Sequence, residues 1–93
     1  MTSERNLGWS LAVHKSARKA LRKLPRSLAA RLLGAAEGLS GDPFPSGAAP
    51  LKGFSDVYRV RLGDYRIVYS VDREARRILV AHIGHRKHVY RNL

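Results

Sequence analysis

An α+β fold, with a helical hairpin packed on one face of an antiparallel sheet, is what the sequence predicts. Three observations carry this reading. Apolar residues recur with helical spacing from residue 17 to residue 39. They alternate with polar ones, at the period of a half-buried strand, from residue 57 onward. Between the two halves, residues 41–53 are rich in Gly, Pro, Ala and Ser and read as a joining loop. With only 93 residues, the chain makes one domain, 1–93, and buries only part of its surface.

The elements come in order along the chain. Trp9, Leu11 and Val13 alternate with Ser10, Ala12 and His14, so residues 9–14 form a first strand. Ser16 is placed to cap a helix in which Ala17, Ala20, Leu21 and Leu24 fall on one face. Lys15, Arg18, Lys19, Arg22 and Lys23 fill its remaining surface. Pro25 stops that helix and suits the first turn of a second. Leu28, Leu32, Ala35, Ala36 and Leu39 are the second helix's apolar stripe, and Gly41 is its expected terminator. Residues 57–62, 65–71 and 78–83 then give a three-stranded antiparallel meander and the order β-α-α-β-β-β.

Charge narrows the function classes. A net charge of +11 favours polyanionic partners: nucleic acid, an acidic membrane surface or an acidic protein. There is no cysteine, which removes disulfides, thiolate metal ligands and thiol nucleophiles. No stretch approaches the roughly 20 apolar residues of a membrane span. Residues 1–8 are polar, carry Glu4 and Arg5, and lack the apolar core of a signal peptide. A cytoplasmic location without membrane contact is the resulting expectation.

The hairpin around Gly63-Asp64 is the most informative segment. Gly at the first central position suits a two-residue type II′ turn. That turn sets Leu62 against Tyr65, Arg61 against Arg66, Val60 against Ile67, Arg59 against Val68 and Tyr58 against Tyr69. Tyr58, Val60, Leu62, Tyr65, Ile67 and Tyr69 then share a core face. Arg59, Arg61 and Arg66 share the other. Like charges directly opposed are destabilising. A cluster of guanidiniums, whose planar donors match phosphate oxygens in pairs, makes sense around an anion. Only seven acids are available to neutralise it.

The last strand and the segment after it add His82, His85, Arg86, Lys87, His88, Tyr90 and Arg91. Histidine moves protons near neutral pH, and tyrosine stacks on bases. Other motifs are missing. There is no Gly-rich phosphate loop, no zinc-ligand spacing and no pair of carboxylates placed for hydrolysis. Neither a metal nor a small-molecule cofactor is expected.

The run Leu51-Lys52-Gly53, then Val57-Tyr58-Arg59-Val60-Arg61-Leu62-Gly63-Asp64-Tyr65-Arg66-Ile67-Val68-Tyr69, resembles the signature of the RelE/ParE toxin superfamily. So does Ile83-Gly84-His85-Arg86 followed by Val89-Tyr90. The resemblance covers nearly the whole chain. RelE-type members of type II toxin–antitoxin systems cut messenger RNA in the ribosomal A site. The substrate's 2′-hydroxyl attacks the adjacent phosphate, and translation stops.

That resemblance implies a site made of Arg59, Arg61, Arg66, Arg86 and Tyr90. Arg61 and Arg66 would hold the scissile phosphate and Arg86 would assist the leaving oxygen. Tyr90 would stack on the neighbouring base. The best-known family pattern has lysines where Arg59 and Arg61 stand, and its spacing from Arg86 to Tyr90 is longer. Arginine hardly loses its proton, so either His85 or His88 supplies the base, or orientation and electrostatics carry most of the rate. The resemblance also implies mRNA, the ribosome and a cognate acidic antitoxin as partners. A ParE-like inhibitor of DNA gyrase without nuclease activity is the competing reading. A degenerate toxin that only binds its antitoxin or nucleic acid is a third.

Overall fold

The computed structural model describes residues 8–91 and 93. The expectation about an N-terminal signal therefore lies, apart from Gly8, outside the described residues. The elements are β1 (Ser10–Val13), α1 (Lys15–Arg22), α2 (Arg26–Gly38), β2 (Ala49–Pro50), β3 (Val57–Leu62), β4 (Tyr65–Asp72) and β5 (Arg77–His85). They form a five-stranded sheet of order β1-β5-β4-β3-β2. β1 runs parallel to β5, and the other pairs are antiparallel.

The hairpin register is the one expected, pair for pair, from Leu62 opposite Tyr65 to Tyr58 opposite Tyr69. Gly63 has φ +60, and Asp64 is not among the residues with positive φ, the combination a type II′ turn requires. Three local expectations are corrected. The cap of α1 is His14 rather than Ser16: its Nδ1 accepts the Ser16 N–H at 3.1 Å. The Ser16 hydroxyl donates instead to the Ala81 carbonyl at 2.9 Å. Pro25 sits one residue earlier than expected, as the N-cap of α2, whose first bond runs from Ala29 N–H to Pro25 O. That helix ends at Gly38, three residues before Gly41.

The joining loop also contains a strand that its composition did not predict. Ala49 and Pro50 pair with Arg59 and Tyr58. The remainder of the loop is tied down by side chains. Arg73 bonds Asp56 Oδ1 at 3.0 Å and the Tyr58 hydroxyl at 2.8 Å, and its guanidinium lies over the Phe44 ring.

Both helices lie on the face of the sheet that the register makes apolar. Ala17, Leu32, Ala36 and Leu39 pack against Ile67, Tyr69, Val71, Ile78, Val80 and Ile83, all buried. Tyr69 is fully buried, and its hydroxyl donates to the Pro43 carbonyl at 2.6 Å. Burial, together with Tyr58 and Asp42 nearby, pushes its pKa up to about 12. Among the described residues no helix lies on the opposite face. Among the described residues no helix is long and apolar enough to cross a membrane.

One irregularity sets what that open face presents. Val68 pairs with His82 and Tyr69 with Val80, which leaves Ala81 as a bulge in β5. The extra residue shifts the alternation. His82 lies opposite Val68 and therefore faces the open side, while Ile83, opposite Ile67, stays in the core.

Candidate active site and nucleic-acid interface

Arg59, Arg61 and Arg66 project from the open face, with Arg61 and Arg66 directly across from each other on β3 and β4. Backbone carbonyls, not acids, hold two of them. Arg66 Nη1 donates to the Gly63 and Tyr65 carbonyls, each at 3.0 Å. Arg59 Nη1 reaches the Gly47 carbonyl at 3.4 Å. Arg61 is exposed. Among the described residues, no ion pair joins any of the three to a carboxylate. The field they create is thus left for an external anion.

The hairpin turn brings a fourth guanidinium to this cluster. The Arg86 N–H donates to the Asp64 carbonyl at 2.8 Å, and its Nε lies 3.8 Å from Asp64 Oδ1. Arg66 and Arg86 are thereby moored to adjacent residues of one turn. Both partners of the Arg86–Asp64 contact are more than half exposed, so water and salt weaken it. Arg86 can reorient toward a bound phosphate at little cost.

After β5 the chain turns back in short helical turns. His88 and Val89 N–H both bond the His85 carbonyl. Val89 is buried against Gly84, where an added Cβ would meet Val89 Cβ at 3.5 Å. Gly84 pairs with Arg66, so this segment lies beside the arginines on the open face. Tyr90, 37% exposed, comes directly after it.

His85 is placed differently. It pairs with Tyr65, on the parity of the core face, and its ring meets the Tyr65 ring edge-on at 5.6 Å. Its Nδ1 accepts the Lys87 N–H at 3.1 Å, which caps the final turn as His14 caps α1. A nitrogen that accepts carries no proton, so the neutral ring holds its proton on Nε2. In this arrangement His85 has no free acceptor nitrogen and serves as a hydrogen-bond donor. His88 lies 5.9 Å from it, ring to ring, and is exposed.

The structure also places His82 on the arginine face, in the row Arg59, Val68, His82. Simple alternation along residues 78–83 would have put it with Ile78 and Val80, so the sequence singled out the residue but not its face. Burial, and next the charge of His14, lower the His82 pKa below the ordinary histidine value. Among the described residues no group of three His, Cys, Asp or Glu side chains is arranged to hold a metal ion.

Comparison with known proteins agrees with this architecture. The family model described as ParE toxin of type II toxin–antitoxin system, parDE, matches residues 11–90. The chain belongs to the RelE/ParE toxin family. The putative toxin RelE1 of Methanocaldococcus jannaschii is 33% identical over 90% of this chain and 97% of its own length. In the archaeal RelE–RelB complex from Pyrococcus horikoshii, one chain superposes with a TM-score of 0.76 at 32% identity. The match covers 89% of this chain and all of that one. In the RelBE2 toxin–antitoxin complex from Mycobacterium tuberculosis the TM-score is 0.74 at 27% identity, over 85% of this chain and 99% of that one. The protein is thus a toxin of the RelBE type, and these three relatives are RelE rather than ParE proteins.

Proposed function

We propose that the chain is an endoribonuclease that cuts mRNA in the ribosomal A site. The observation that carries this reading is the set of four arginines gathered on one open sheet face and its turn, three of them without an acidic partner among the described residues. In the reaction the 2′-hydroxyl oxygen attacks the adjacent phosphorus. The bond from phosphorus to the 5′-oxygen breaks, leaving a cyclic phosphate on one product and a hydroxyl on the other. Arg61 and Arg66 grip the non-bridging oxygens and stabilise the charge that develops there. Arg86, released from Asp64, stabilises the charge on the leaving 5′-oxygen, which takes its proton from water, and Arg59 holds a neighbouring phosphate. Tyr90 stacks on a base beside the cut and holds the 2′-hydroxyl in line. His85 contributes its Nε2–H as a donor, and His88, the more accessible imidazole, takes the nucleophile's proton.

The partner of this surface outside catalysis is an acidic antitoxin of the RelB type, which a chain of net charge +11 attracts over long range. Mapping of RNA 5′ ends after brief expression in growing cells tests the nuclease assignment. New ends within translated codons, absent with Arg86→Ala, are expected. Growth arrest without new ends would instead support a gyrase inhibitor of the ParE kind.

A further inference from the structure

At the edge of β5 beyond β1, the sheet borders a concave feature that the arginine cluster does not use. β1 pairs with β5 only as far as Val80, where His14 N–H closes the ladder on the Val80 carbonyl. Beyond that point the edge of β5 borders a cavity of about 210 Å³ lined by Ser16, His82, Ile83, Gly84, His88 and Val89. Its walls are of two kinds. Val89, packed over Gly84, gives apolar surface. His82 and His88 give imidazole nitrogens.

We propose that this cavity is a subsite for one nucleobase of single-stranded RNA, flanking the phosphate held by Arg61 and Arg66. The inference rests on the nuclease reading and names the part of the substrate that reading leaves unplaced. The register supplies the distance. Arg66 lies opposite Gly84, and His82 is two residues from Gly84. Arg66 and His82 are therefore diagonal neighbours, with Cα atoms about 7–8 Å apart, within reach of long and aromatic side chains. Val89, packed over Gly84, fills the place between them and forms the wall that the two sites share.

The chemistry of the walls selects a base over a phosphate. A neutral imidazole offers one donor and one acceptor nitrogen, as the edge of a base does. Its lowered pKa, caused by burial and then by His14, keeps His82 in that form near neutral pH. The Ser16 hydroxyl is already engaged, donating to Ala81 and lying 3.0 Å from His14 Nδ1. It fixes the wall without competing for the ligand. Val89 and the His88 ring supply the faces against which a heterocycle stacks. Tyr90 then serves the base on the other side of the scissile phosphate.

The test uses the full chain and trinucleotides with a 2′-deoxy central residue, which lack the nucleophile and persist uncut. His82 ring resonances are followed by NMR as each trinucleotide, or inorganic phosphate alone, is added. A shift of the His82 ring with trinucleotide but not with phosphate is expected. So is an affinity loss of about threefold to tenfold for His82→Ala, the size of one hydrogen bond, largely restored in His82→Gln. His82 unmoved while trinucleotide binds, or moved equally by phosphate, would overturn the subsite. No binding of any trinucleotide would overturn it too. The nuclease assignment stands or falls separately, on the mapping of RNA ends.

Discussion

The two faces of the sheet are built from alternate residues of the same strands, yet opposite forces hold them. On the helix side, Ile67, Tyr69, Ile78 and Val80 are buried to within about one per cent, and burial of apolar surface is the main source of stability. On the open side, Arg61 faces Arg66 across the ladder, an arrangement that works against folding. A chain this small has little stability to spare, so a destabilising face must serve something other than the fold. Core-face substitutions should cost stability, while open-face substitutions should cost activity and leave the fold intact or firmer.

The sharpest way to break the comparison is Leu32→Ala, which empties a fully buried position. Denaturant titration should show a loss of about 2–5 kcal/mol, enough to leave much of the chain unfolded. Next is Arg66→Ala. Loss of a preorganised charge donor should lower the cleavage rate by about 10²–10³, measured on programmed ribosomes. The same variant's unfolding midpoint should stay level or rise, since the like-charge pair with Arg61 is relieved. A fall in stability matching the fall in rate would erase the distinction between the faces.

Tyr69→Phe probes a polar anchor inside the core and should cost about 1 kcal/mol through the lost bond to Pro43. Its pH dependence has a definite sign. The hydroxyl's pKa is about 12 in the fold and near 10 in the unfolded chain. Wild-type stability therefore declines as pH rises above roughly 10, and the Phe variant lacks that decline.

The smallest expected effect is at His82. Its pKa is lowered in the fold, so below roughly pH 6.5 the unfolded chain takes up a proton the native form resists. Stability is fully present above that pH and falls as acid is added. His82→Gln should flatten this part of the stability profile, read from thermal melts in steps of pH.

Much of this contrast was legible in the residues because one turn decides it. Gly63-Asp64 fixes the register of β3 on β4, and register assigns every side chain to a face. Arg59, Arg61 and Arg66 were therefore readable as one cluster. Four things were not. β2 is two residues in a Gly- and Pro-rich loop, with no alternation to detect. The parallel pairing of β1 with β5 joins segments more than sixty residues apart and leaves no local mark. The bulge at Ala81 reverses the parity of the residues after it, so His82 reads as a core position and is in fact on the arginine face. His14 displaced Ser16 as a helix cap because an imidazole nitrogen fills the role usually left to a hydroxyl.

The outer strands of the sheet have a consequence for how copies of the chain meet. An open sheet exposes unpaired backbone at both margins, and long flat margins template stacking of one copy on another. Here one margin is the four-residue β1. The other is β2, two residues long and ending in Pro50, which has no N–H to offer. Both are poor templates, and mutual repulsion at +11 opposes any approach. Two copies of this toxin would thus part without joining their sheets in a lasting contact.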